Sequence, residues 1–208
     1  MGDKVFNTLG ASNHSDKDRE VNNYYSTPPI VVKPLFDKVP ELMLCNDILE
    51  PCCGEGHIAK EVSRLTGKTV KAVDLIDRGF GEVGNIFQSD YKNKYDLIIT
   101  NPPYDRYSKK NPENMVNMIV KMLDDVKCGG YVCLFLKTVA LESEARYELL
   151  FKNMRPEKVL VSVDRVSCLK SGDIKNDGGA ISYCWYVWHK DKDGKFSKET
   201  ILDWFRVK

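Results

Sequence analysis

Leu49-Glu50-Pro51-Cys52-Cys53-Gly54-Glu55-Gly56-His57 lies between the end of a short apolar strand, Asp47 to Leu49, and a helical periodicity at Ile58, Ala59, Val62 and Leu65. A strand that turns through two glycines into a helix is the opening unit of a parallel α/β sheet. Glycine lets the backbone turn tightly and approach a ligand closely. The helix start adds unpaired N–H groups beside it. Gly54, Gly56 and Ala59 fit a relaxed dinucleotide-binding spacing, with Asp74 twenty residues beyond Gly54. Taken alone, the spacing also fits a strand-to-helix turn that holds no ligand.

The pattern continues on both sides. Upstream, Tyr24-Tyr25-Ser26-Thr27-Pro28-Pro29 leads into Ile30, Val31, Leu35 and Phe36, a helix-start signal. Downstream, Thr69 to Val73 is a strand rich in β-branched residues, and Gly84 to Phe87 is a candidate for another. Tyr95 to Thr100 is a continuous apolar run suited to a strand buried on both faces. Met115 to Leu123 reads as a helix that Gly129-Gly130 stops. Tyr131 to Leu136 is a buried strand, Glu142 to Phe151 a helix and Lys158 to Val163 a strand. A Gly/Asp/Lys-rich loop spans 165–180, and Ile181 to Trp188 is the last strand. The expectation is a Rossmann-like α/β fold with a seven-stranded, mostly parallel sheet. An antiparallel C-terminal hairpin edges it, and helices cover both faces. Residues 1–23 read as a polar arm and 24–208 as one domain.

Composition narrows the function. A chain of 208 residues, 42% hydrophobic, has enough apolar content for a full core, which argues against disorder. No uncharged apolar run reaches the ~18 residues of a membrane span. The first twenty residues hold no apolar stretch of signal-peptide type. Lys and Arg number 31 against 30 Asp and Glu, so a nucleic acid would have to meet a local patch. The seven cysteines show no two-residue spacing of a metal or redox site. Reduced thiols and a cytoplasmic location are expected, with no metal.

Two acids give the glycine turn a chemistry. Glu50 at the strand tip would repel a pyrophosphate and favours a ligand with a positive amino group, S-adenosylmethionine over NAD. Asp74, at the end of the next strand, can accept both hydroxyls of a ribose. Asn101-Pro102-Pro103-Tyr104 then follows the buried strand 95–100, and its prolines end that strand in a stiff turn. Ligands collect at the carboxyl ends of such strands. An amino nitrogen conjugated to a ring is a poor nucleophile because its lone pair is delocalised. Two acceptors aimed at its N–H groups, the Asn101 side-chain oxygen and the Pro102 carbonyl, localise that pair. Tyr104 can stack on a flat base.

Together these residues resemble the class I S-adenosylmethionine-dependent methyltransferases, in particular the DNA methyltransferases that act on adenine N6. Thr27-Pro28 resembles the motif touching the methionine end of the cofactor, and Glu50 to Gly56 the main cofactor loop. Asp74, with Leu75 beside it, resembles the ribose site, and Ser89-Asp90-Tyr91 the loop at the cofactor adenine. Asn101 to Tyr104 resembles the catalytic motif. Leu9-Gly10-Ala11-Ser12-Asn13-His14 and Tyr183 to Lys190 resemble the two ends of small phage and prophage adenine methyltransferases.

The resemblance implies the class I methyltransferase fold, S-adenosylmethionine as cofactor and DNA as partner. Its cofactor residues are Thr27, Pro28, Glu50, Pro51, Cys52, Gly54, Gly56, Asp74, Leu75, Asp90 and Tyr91. Arg106, Lys109 and Lys110, beside the catalytic turn, are candidates for nucleic-acid contact or an ordinary solvated loop. No stretch is long enough for a sizeable target-recognition region, so single-stranded DNA or relaxed specificity is expected. The same motif occurs in methyltransferases of protein glutamine and RNA guanine N2, and those acceptors remain open. So does a module that binds the cofactor without turnover. His57 reads as a solvated helix-start residue that could reach the cofactor, and Cys52 and Cys53 as small apolar groups.

Overall fold

The fold is built on strands that bury both faces. In a computed structural model, which describes residues 25–104, 111–166, 168 and 181–207, Tyr131–Lys137 forms strand β5. Successive side chains leave a strand on opposite sides. Cys133 and Phe135 therefore join one layer, with Val32, Leu35 and Phe36 of helix α1 (Val32–Lys38) and Ile58 and Val62 of α2 (His57–Thr66). Val132, Leu134 and Leu136 join the other, with Met115, Ile119 and Met122 of α3 (Met115–Asp125). Helices on both faces explain why these strands are apolar without a break.

The remaining strands are β1 (Ile48–Glu50), β2 (Val70–Asp74), β3 (Glu82–Val83), β4 (Leu97–Thr100), β6 (Lys158–Ser162), β7 (Tyr183–His189) and β8 (Ile201–Phe205). Their order is β3-β2-β1-β4-β5-β7-β6-β8. All neighbours are parallel except β7, which runs against both β5 and β6. The chain leaves β1 toward β2 and β3, and later returns to the other side of β1 as β4. That reversal opens a crevice at the carboxyl ends of β1 and β4, the usual ligand position in such sheets.

The α/β reading holds, and four details differ. The sheet has eight strands, because β8 pairs in parallel with β6 and forms the edge. The β6–β7 hairpin thus lies inside the sheet. The candidate strand at 84–87 is a turn: the Asn85 side-chain oxygen accepts the N–H of Phe87 at 2.9 Å where a ladder would continue. Of the helix expected over 142–151, Glu144–Arg146 is α-helical and Tyr147–Phe151 is a wider π turn. Helix α3 ends at Asp125, before the glycines, on a partner distant in sequence. The buried Lys190 ammonium donates to the carbonyls of Leu123, Asp124 and Val126 at 3.1, 2.9 and 3.1 Å. It satisfies the free carbonyls of a helix end and matches the negative pole there.

Two tryptophans fasten the periphery to the sheet. Trp185 on β7 donates to the Val31 carbonyl at 2.9 Å, and Trp188 to that of Met154 at 3.0 Å. The first bond fixes the short 3₁₀ turn Pro29–Val31, and with it the segment just upstream. Among the described residues no helix is long and apolar enough to cross a membrane.

Lys190→Met keeps the aliphatic stem and removes the donor from three carbonyls at the helix end, those of Leu123 and Val126 in buried bonds. Unfolding in urea should show a loss of about 2–3 kcal/mol with an unchanged slope.

Candidate active site

The glycine turn is fixed by carboxylates. Gly54 and Gly56 both have left-handed backbones, with φ of 53° and 79°. A Cβ on Gly56 would meet the Phe80 ring, so the position requires glycine on two counts. The Gly54 N–H donates to Asp74 Oδ2 at 2.8 Å, and the Ile76 N–H to Oδ1 at 3.0 Å. Glu50 Oε2 accepts the Ala59 N–H in the first turn of α2 at 2.7 Å. The Cys53 N–H donates to the Val73 carbonyl at 2.9 Å, binding the loop to β2.

Glu50 is 1% exposed. Burial and, to a lesser degree, the neighbouring Asp74 charge push its carboxyl well above the usual range, while the Ala59 N–H works the other way. The same surroundings push the Cys53 thiol up to about 12, and the Cys52 thiol is raised as well. Both cysteines are neutral, and Cys52 packs its sulfur 3.6 Å from that of Met118. They line the turn and are no nucleophiles.

The second turn is tied to the first. Thr100 is buried at the end of β4, and its hydroxyl donates to the Cys52 carbonyl at 3.3 Å. Asn101 follows. Its Nδ2 donates to the Thr27 hydroxyl at 2.8 Å and to the Tyr25 carbonyl at 3.4 Å. Its Oδ1 receives the Tyr104 hydroxyl at 2.8 Å, which also lies 3.1 Å from the Phe135 carbonyl. Burial holds the Tyr104 phenol well above its ordinary pKa, so it is a neutral donor. The Tyr104 ring centre is 6.4 Å from that of Tyr25, and Lys137 Nζ sits 4.7 Å from it. Tyr104 therefore faces inward here, with its hydroxyl on the oxygen that the sequence assigns to an incoming amine.

One cleft collects most of the expected residues. Thr27, Glu50, Pro51, Cys52, Asp74, Leu75 and Asn101, Pro102, Pro103 and Tyr104 border it. Pro28 stands behind the wall, its carbonyl accepting the Val31 N–H at 3.2 Å. Gly54 and Gly56 shape the loop. Asp90 and Tyr91 do not border the cleft. The Asp90 side chain is 76% exposed and paired with Lys94 at 2.9 Å. Tyr91 is 9% exposed and packs edge-on against Tyr95, ring centres 5.7 Å apart.

The segment at that end of the cleft is Gly84 to Phe87, with Glu113 across from it. The amide N–H groups of Gln88 and Ser89 turn back to the carbonyls of Asn85 and Ile86. This carries residues 90–91 past the rim. The missed signal was the Asn-Ile-Phe triplet, where an Asn turn presents an aromatic residue. Tyr25, Ser26, Arg78 and Met118 border the cleft too, without a signal in the sequence, and so does His57, the helix-start residue that could reach the cofactor. His57 borders the cleft with Nδ1 2.9 Å from the Ser26 hydroxyl. Arg106, Lys109 and Lys110 lie outside the described residues.

No protein-family model and no curated protein matches the chain. Solved structures do. A protein assigned to the class I S-adenosylmethionine-dependent methyltransferases, from Listeria monocytogenes, is similar over 91% of this chain and 68% of its own, with a TM-score of 0.62 at 17% identity. The type I restriction enzyme EcoKI M protein is similar over 90% of this chain and 49% of its own, with a TM-score of 0.60 at 12% identity. The type IIG restriction endonuclease BpuSI is similar over 90% of this chain and 28% of its own, with a TM-score of 0.60 at 10% identity. The chain thus spans about half of the EcoKI M protein and under a third of BpuSI. The chain has the Rossmann-like fold of class I methyltransferases.

Proposed function

We propose that the chain is an S-adenosylmethionine-dependent methyltransferase acting on an exocyclic amine, adenine N6 in DNA. The observation that carries this reading is one cleft, at the carboxyl ends of β1 and β4, joining the Asn101 amide to the buried Glu50 carboxyl. The donor set fits the cofactor. Glu50 gains a counter-charge from an ammonium group, which relieves its unfavourable burial. Asp74, at the end of β2, stands where a ribose is held in sheets of this kind. Leu75, Ile76, Ile86 and Phe87 form an apolar wall suited to a purine.

S-adenosylmethionine, when bound, supplies an electrophilic methyl group on a sulfonium. The protein's part is to hold the acceptor nitrogen in line with it. Asn101 Oδ1 and the Pro102 carbonyl accept the two N–H groups of the amine and localise its lone pair. Thr27 holds the other end of the Asn101 amide and keeps that oxygen turned to the cleft. An amine that reaches Asn101 Oδ1 displaces the Tyr104 hydroxyl, which frees the ring to lie against the base. The paired rings of Tyr25 and Tyr104 favour a nucleobase as acceptor. The fold likeness to two restriction-system proteins supports DNA. A single strand avoids the few kcal/mol of extruding a base from a duplex.

Transfer of labelled methyl groups to single- and double-stranded DNA, RNA and protein tests this reading, with the products identified by mass spectrometry. N6-methyladenine in DNA is expected, and a methyl group on RNA or protein alone would overturn the DNA assignment. Asn101→Ala should lower the rate by about 100-fold or more while calorimetry shows cofactor affinity nearly unchanged. Tyr104→Phe removes the competing donor and keeps the ring. It should raise kcat/KM on a single-adenine oligonucleotide by up to about fivefold, whereas Tyr104→Ala lowers it.

Glu50→Gln separates stability from binding. The folded Glu50 carboxyl titrates above its unfolded value of 4.5, so the unfolded chain binds fewer protons within that window. Wild-type stability therefore falls as pH rises from about 4.5 through the raised folded value. Glutamine does not titrate and still accepts the Ala59 N–H. Thermal melting without ligand should find Glu50→Gln more stable at pH 7 by about 2–4 °C, with the gain lost below pH ~4. Its cofactor affinity should fall.

A further inference from the structure

Ser26 is 1% exposed, and its hydroxyl sits 2.9 Å from Nδ1 of His57. A buried serine spent on one ring nitrogen fixes the plane of the imidazole. It leaves Nε2 as the ring's second polar atom. A serine hydroxyl both donates and accepts, so it supports the tautomer that carries its proton on Nε2 as well as the other. His57 opens α2, a helix of ten residues, and follows the left-handed Gly56. In the first turn of that helix the Ala59 N–H is already held by Glu50.

The charges on the cleft wall are unevenly placed. Glu50, Asp74 and Glu113 supply carboxyls, and His57 and Arg78 are its basic side chains. Arg78 lies four residues beyond Asp74, past the end of β2. His57 lies instead beside Ser26 and Thr27, and the Thr27 hydroxyl accepts from Asn101. A sulfur that delivers its methyl group toward Asn101, on a ribose held at Asp74, leaves its amino-acid arm on the side of Thr27, Glu50 and His57. That arm carries an ammonium and a carboxylate. Glu50 answers the first and repels the second.

We propose that His57 binds the carboxylate of the cofactor's amino-acid arm through Nε2, with Ser26 as the positioning residue for the ring. The inference rests on the cofactor reading above. It gives His57 a defined partner and atom where the sequence offered only nearness to the cofactor, and it explains why a serine is buried against an imidazole. Glu50 and His57 then read the two charges of one zwitterion at fixed separation, which selects against ligands that carry only one of them.

Calorimetry with two probes tests it on the full chain. S-adenosylhomocysteine carries the carboxylate, and 5′-S-(3-aminopropyl)-5′-thioadenosine is the same molecule without it. Wild type should bind the first about tenfold more tightly than the second. In His57→Phe that gap should close, through weaker binding of S-adenosylhomocysteine and unchanged binding of the amine analogue. His57→Gln, which returns a donor at similar reach, should restore part of the gap and serves if the phenylalanine variant does not fold. Ser26→Ala should narrow the gap in the same direction. An equal loss on both ligands, or no loss on either, overturns the role of His57 while the cofactor reading stands. Failure of wild type to bind S-adenosylhomocysteine at all overturns both.

Discussion

Two backbone N–H groups, of Gly54 and Ala59, end on the carboxylates of Asp74 and Glu50, and the rim of the sheet is arranged around that pair of bonds. The first closes the glycine turn onto β2, and the second holds the start of α2 over β1. Neither acid is free to move without opening the loop. A buried carboxyl at a strand tip is expensive unless something charged meets it. Here it is met in part by a peptide dipole, and its balance improves with a cation in the cleft. The turn is therefore built and poised by the same groups: each acid accepts a backbone N–H of the loop and borders the cleft as well.

The Asn101 turn is held from further away. Trp185 in the middle of β7 bonds to the carbonyl of Val31, 154 residues earlier. That bond seats the 3₁₀ turn on the sheet, and Thr27 just before it reaches Asn101. Thr100 joins the two turns through the Cys52 carbonyl. The Asn101 amide thus has its nitrogen fixed by a segment anchored in the core, and only its oxygen is exchangeable. This is the arrangement a positioning role asks for, since one end of the amide is rigid and the other is offered.

What the sequence showed follows from where each signal is stored. Strands β4 and β5 bury both faces, so their identity is written in unbroken apolar runs and was legible. So was the Asn101 turn, because two prolines leave the backbone little choice. Strand β8 was not legible: Ile201, Leu202 and Trp204 are exposed on an edge, and partner β6 alone decides that they extend. Ile86 and Phe87 are strand-forming residues, yet the Asn85 side chain substitutes for the ladder. The end of α3 depends on Lys190, which no local rule connects to it. At the site, Asp90 had the right residue type at a plausible strand end. Position in space was decided instead by two tight turns that bring Asn85 and Phe87 to the rim.

His57 and Tyr104 show why a side chain's neighbours matter more than its type. A histidine at a helix start is ordinarily solvated, and only the burial of Ser26 makes this one directional. A tyrosine after two prolines is ordinarily a surface ring, and only the Phe135 carbonyl and Asn101 Oδ1 draw its hydroxyl inward. Both contacts satisfy polar groups at the rim of the cleft. The two differ in what a ligand does to them. An anion at Nε2 adds a partner to His57 and leaves its bond to Ser26 in place. On the proposed reading, an amine at Asn101 Oδ1 replaces the bond from Tyr104. Cofactor binding therefore meets a site already assembled, whereas acceptor binding exchanges one hydrogen bond for another. The net gain on that oxygen is small, about the difference between two hydrogen bonds. Discrimination among acceptors must then come from the surface the base covers and from the second acceptor at Pro102, which only a planar amine with two N–H groups can use.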